Sequence, residues 1–182
     1  MKRILLALIC LAMLAGRASA KDWALGNDDL KVIFDDRTAL IAVSDLRTGK
    51  VWTQNPLEAD IQVRKVTVKD NVLTVAMQGD FRFNMTMTLD GATLDIVLSA
   101  DKDAQMDELA YPAPFKTSDR NHYLLLTDGA GLMLPAWDSD YEFGEGMAYF
   151  CGGGLCMPWM GMLTEDRQAG YMAVLDTPYD AR

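Results

Sequence analysis

The stretch FRFNMTMTLDGATLDIVL, residues 81–98, decides the fold. Phe81, Phe83, Met85 and Met87 alternate with Arg82, Asn84, Thr86 and Thr88. A strict period of two gives a strand one apolar and one polar face, where a helix would need apolar residues three and four apart. Asp90-Gly91 is a turn dipeptide, and Leu94, Ile96 and Leu98 resume the alternation behind it. The stretch therefore reads as a β-hairpin.

The same grammar extends in both directions. Upstream, Val72 to Met77 is a strand, and Ile61, Val63, Val66 and Val68 form another, separated from it by Asp70-Asn71. Leu30, Val32 and Phe34 alternate with Lys31, Ile33 and Asp35. Leu40 to Leu46 follows, and Arg47-Thr48-Gly49-Lys50 turns the chain into Val51-Trp52. Trp23 and Trp52 are expected in the core. Downstream, Tyr111-Pro112-Ala113-Pro114-Phe115 is extended but not a central strand, because proline donates no ladder hydrogen bond. Asp101 to Glu108 allows one short helical turn. Tyr123 to Thr127 and Leu132 to Leu134 flank a glycine turn, and Trp159 to Leu163 pairs with Tyr171 to Leu175 across residues 165–170. No long amphipathic helix is expected, and turns recur at the spacing of a sandwich or barrel. The fold class is all-β, with antiparallel hairpins arranged in a sandwich or a barrel.

The first twenty residues stand outside this pattern. Lys2 and Arg3 precede the apolar run Ile4 to Leu14, and Ala18-Ser19-Ala20 is a small-residue cleavage site. The run is too short to span a bilayer, so residues 1–20 read as a signal peptide. Residues 21–182 are expected to form one all-β domain, secreted or periplasmic, with no membrane contact after cleavage. The mature chain has 14 basic and 26 acidic residues, a formal charge of −12 against −9 for the whole chain. That surface repels phosphate backbones, so nucleic acid is not an expected partner.

Residues 141–163, YEFGEGMAYFCGGGLCMPWMGML, have neither period. Three consecutive glycines disfavour a regular element, while the aromatics and methionines are too apolar for a solvated linker. A loop folded against a core or a ligand surface suits both facts. Cys151 and Cys156 allow a small disulfide loop or two reduced, buried thiols, and spacing does not choose between them. With His122 the single histidine, no zinc site is expected. Asp138, Asp140, Glu142 and Glu145 lack an EF-hand spacing. They suit a solvated acidic loop, or acceptors for sugar hydroxyls beside the flat faces of Trp137, Tyr149, Trp159 and Tyr171, for which core packing is the competing reading. The candidate carbohydrate contacts are thus Trp159, Glu145, Trp137, Tyr149 and Asp138. There is no nucleophile elbow, phosphate loop or dinucleotide fingerprint, so no cofactor is expected.

Several segments resemble one family. They are Asp29 to Trp52 (DLKVIFDDRTALIAVSDLRTGKVW), Tyr111 to Phe115 (YPAPF), Tyr123 to Ala136 (YLLLTDGAGLMLPA), Phe143 to Leu163 (FGEGMAYFCGGGLCMPWMGML) and Ala169 to Ala181 (AGYMAVLDTPYDA). Together they look like the N-terminal galactose-mutarotase-like sandwich of large bacterial glycoside hydrolases, relatives of endo-α-N-acetylgalactosaminidases, in which a (β/α)8 barrel follows. The resemblance implies that the catalytic carboxylates lie on a barrel beyond this chain, so no catalytic residue is assigned here. It also implies that the glycine-rich loop faces that barrel, with Trp159 and Glu145 as sugar contacts. The expected role is a non-catalytic sandwich packing on the barrel and lending loop residues to its sugar pocket. A stand-alone secreted carbohydrate-binding module and a structural or adhesion β-domain are the alternatives.

Overall fold

A computed structural model of the chain describes residues 21–57, 60–100, 109, 111–113, 115–116, 121–127, 131–136 and 157–176. All secondary structure among them is β, in antiparallel pairs. The strands are β1 (Asp22–Gly26), β2 (Leu30–Asp35), β3 (Leu40–Asp45), β4 (Val51–Gln54), β5 (Gln62–Lys69), β6 (Val72–Gln78) and β7 (Arg82–Asp90). They continue as β8 (Thr93–Ala100), β9 (Phe115–Lys116), β10 (Tyr123–Leu126), β11 (Leu132–Pro135), β12 (Trp159–Leu163) and β13 (Gly170–Val174). The all-β, sandwich-like expectation holds. The chain divides into two compact units, Met1–Ala42 with Pro56–Ala113 and Val43–Asn55 with Pro114–Arg182, the division falling inside β3.

In the first unit, β5-β6-β7-β8 form a four-stranded sheet and β1 pairs with β2. The alternation read from the sequence becomes a face. Leu73 pairs with Met87, Val75 with Met85 and Met77 with Phe83, and all six are buried. Ile96 and Leu98 continue those rows from β8, opposite Met87 and Met85. On β2, Leu30, Val32 and Phe34 are buried in the same alternating manner. β1 runs close against β5, β6 and β7. Asn27 ties the β1–β2 turn to the β7–β8 turn: its Oδ1 accepts from the Leu30 amide at 2.7 Å and its Nδ2 donates to the Gly91 carbonyl at 2.7 Å. Each buried Val, Leu, Met or Phe contributes roughly 1.5–3 kcal/mol by leaving water. Tyr111 adds a buried hydrogen bond, its hydroxyl donating to the Ala39 carbonyl at 2.9 Å, and burial pushes that hydroxyl's pKa well up.

One irregularity in the sequence finds its cause here. Val63 and Val66 lie three apart, which breaks the period of two. The register with β6 slips between Val63 and Lys65, so Arg64 is an extra residue in a bulge. Val63, Val66 and Val68 thereby all face the side of Met77, Val75 and Leu73.

The second unit holds a sheet of order β11-β10-β12-β13 and the short pair β4–β9. Trp52 is 3 % exposed, with the Tyr171 ring edge-on at 4.9 Å. Phe115 meets Tyr171 on another side at 5.5 Å. Trp52 is therefore a core residue, as expected. Trp23 is not: its indole N–H donates to Asp36 Oδ2 at 3.0 Å and the Lys21 ammonium caps its half-buried ring at 3.8 Å. β1 itself carries only one buried residue, Leu25, too little pattern to announce a strand.

Candidate functional site

Two turns and one buried histidine of the second unit line an open polar cleft of about 380 Å³. The first turn follows β3. The Asp45 amide donates to the Lys50 carbonyl at 2.9 Å and the Gly49 amide to the Asp45 carbonyl at 2.8 Å. Gly49 takes φ = 74°, a left-handed backbone that glycine adopts without a steric cost. Asp45 is buried and grips Arg47 with both oxygens: Oδ1 accepts from Nε and Oδ2 from a terminal guanidinium nitrogen, each at 3.0 Å. That fork holds the Asp45 carboxyl below the usual carboxylate range. The turn so fixed presents Thr48, Gly49 and Lys50 to the cleft.

The second turn joins β12 to β13. The Thr164 hydroxyl donates to Asp166 Oδ1 at 2.6 Å, and the Gln168 amide donates to the same oxygen at 3.0 Å. These bonds, the hydroxyl's first, lower the Asp166 pKa, and the Lys50 charge adds to them. Glu165, Asp166, Gln168 and Ala169 line this side of the cleft. Asn121 Nδ2 donates to Glu165 Oε2 at 3.1 Å.

His122 forms the floor. Its ring is 2 % exposed and lies 5.8 Å from the Trp52 ring. Lys50 Nζ lies 3.1 Å from His122 Nε2. Ammonium has donors only, so Nε2 accepts and the ring proton of neutral His122 sits on Nδ1. The cleft thus sets one ammonium and one amide beside two carboxylates and the hydroxyls of Thr48 and Thr164. Such a set suits a ligand carrying several neighbouring hydroxyl groups, each able to donate and accept. Among the described residues, no group of three or more His, Cys, Asp or Glu side chains is placed to hold a metal ion.

Of the carbohydrate contacts expected from the sequence, Trp159 alone lies in the described residues. It is half-buried at the start of β12, opposite Val174. The cleft begins beyond the other end of that strand. Five residues of strand, about 16 Å, separate them, so Trp159 and the cleft are not one site. Glu145, Trp137, Tyr149, Asp138, Cys151 and Cys156 lie outside the described residues, as do residues 1–20 and 101–108, where a short helical turn was expected. Sequence reasoning missed Lys50, Glu165, Asp166 and Gln168, which it read as turn residues only. Its one available signal was His122, a lone histidine before an apolar strand.

No protein-family model matches this sequence, and no curated protein matches it significantly.

Proposed function

We propose that this chain is the sugar-facing β-sandwich of an exported glycoside hydrolase, of the galactose-mutarotase-like kind. In that role it binds carbohydrate beside a catalytic barrel and does not itself break the glycosidic bond. The observation that carries the reading is the cleft of the second unit, where Lys50, Gln168 and Thr164 stand beside Glu165 and Asp166 over the buried His122. Two carboxylates against one ammonium favour a neutral sugar over an anionic one. The half-buried Trp159 face offers a second, separate surface for a longer glycan, by stacking.

The test is calorimetric titration of the exported chain with neutral oligosaccharides, alongside Lys50→Met. The expected result is binding that the substitution weakens about tenfold or more, the loss of one charge-assisted hydrogen bond. Absence of binding to any neutral glycan, or binding that ignores Lys50→Met, would overturn the cleft as the sugar site. A stand-alone carbohydrate-binding module would use the same cleft. It is distinguished by full affinity in the absence of any barrel.

A further inference from the structure

The two partners of the Lys50–His122 contact are unequally held. The His122 carbonyl accepts from the Ala136 amide at 2.7 Å, which ties the residue to the end of β11. Its buried ring packs on Trp52, and the Tyr171 ring meets Trp52 edge-on. Lys50 reaches that ring on a flexible four-carbon stem. Its ammonium lies 5.3 Å from the centre of the Trp52 ring and within the field of Asp166. The imidazole is therefore the fixed partner and the ammonium the movable one.

An ammonium has three N–H donors, so the bond to Nε2 at 3.1 Å leaves two for a ligand. Without that anchor the ammonium is drawn to Glu165 and Asp166, the carboxylates that share the cleft. Asn121 holds Glu165 through its Nδ2 at 3.1 Å. The two residues ahead of β10 thus keep the opposite charges of the cleft apart, one by each side chain.

The anchor carries a condition. Nε2 accepts only while it has a lone pair. A proton taken there from water fills the lone pair and sets an imidazolium against an ammonium. The ring is packed in place, so the ammonium gives way. Among the described residues, the other charged groups lining the cleft with His122 are Glu165 and Asp166, both on the β12–β13 turn. Thr48 and Gly49, from the turn that carries Lys50, and Trp52 of β4 are uncharged. We infer that His122 is a positioning residue: its neutral ring aims the Lys50 ammonium into the cleft, and its protonation in mild acid releases that ammonium, switching off the sugar binding proposed above, on which this last consequence rests.

His122 is the single histidine of the chain, so heteronuclear NMR of the untagged exported protein reads its ring nitrogens directly. At about pH 8, Nε2 is expected as the bare nitrogen and Nδ1 as the protonated one. Lowering the pH to about 5 should protonate Nε2 and move the Lys50 side-chain resonances with the same midpoint. Calorimetric affinity for a neutral oligosaccharide should fall about tenfold through that midpoint, the loss of one charge-assisted hydrogen bond. His122→Gln keeps an acceptor and cannot titrate, so it should bind without this acid loss. A protonated Nε2 at about pH 8, a ring still neutral at about pH 4, or Lys50 resonances that ignore the His122 titration overturns the proposal. An acid loss that survives in His122→Gln overturns it too, and assigns the effect to Glu165 and Asp166. The NMR measurement needs no variant and stands if His122→Gln fails to fold. The expected NMR response without glycan affinity supports the positioning role and overturns the sugar reading alone.

Discussion

The Lys50 ammonium donates to His122 Nε2 across 3.1 Å, although 72 positions separate the two residues in sequence. A β-turn brings the lysine and a strand start brings the histidine. The contact joins elements that local pattern treats as unrelated, and the polar cleft is built around it.

Removing the donor separates binding from folding. Lys50→Met is expected to cost about 1 kcal/mol of stability, because the cleft is open and water can take the lysine's place on the ring nitrogen. Thermal unfolding should shift by only a few degrees while any glycan affinity falls about tenfold. A collapse of the fold would instead make the pair a structural strut.

Asp45 should give the chain a measurable acid dependence. Its carboxyl is lowered chiefly by the hydrogen bonds from the Arg47 side chain. A depressed folded-state pKa stabilises above the unfolded value of about 3.9, and the contribution is lost as pH falls through the folded value. Asp45→Asn is therefore expected to unfold at lower urea than wild type at neutral pH, by about 1.5–3 kcal/mol. The two proteins should converge as pH falls through the folded-state value, where the wild-type carboxyl is protonated as well. A constant difference across the range would assign the loss to packing of the turn.

The alternation of β7 can be read energetically. Met85 is fully buried and Thr86, its neighbour, faces the other side of the sheet. Met85→Ala should lose about 2–5 kcal/mol through lost burial and a cavity. Thr86→Ala should lose about 0.5 kcal/mol, the weaker strand preference of alanine. Equal losses in chemical denaturation would contradict the assignment of faces.

Gly161 and Gly26 make a matched pair. A Cβ on Gly161 would stand 2.8 Å from the Tyr171 carbonyl oxygen, a backbone atom with nowhere to go, whereas one on Gly26 meets nothing closer than 3.8 Å. Gly161→Ala is expected to cost about 1–3 kcal/mol by prising β12 from β13. Gly26→Ala should be neutral or slightly stabilising. Urea midpoints of the two variants decide the matter.

How far the sequence could be read depended on where each residue's partner lay. The strands β2, β6, β7 and β8 were legible because Val32, Phe34, Val75, Met85 and their neighbours carry a period of two that only a half-buried strand satisfies. The turns at Gly49 and Gly91 were legible too, both glycines adopting positive φ. β1 was not, since its pairing with β2 and not its own pattern makes it a strand. Trp23 was misplaced because aromatic character says nothing of whether a ring N–H will find a carboxylate such as Asp36 at the surface.

By itself, then, the sequence determined the all-β class, the face each residue of β7 and β8 presents, and the acidic balance of the chain. Those properties follow from local periodicity and summed charge, which need no knowledge of what lies across space. Tertiary structure alone decided the bulge at Arg64 and the meeting of Lys50 with His122 beside Glu165 and Asp166. Each of these depends on register between strands distant in sequence, and register is set by packing and ladder hydrogen bonds that no single stretch of chain contains.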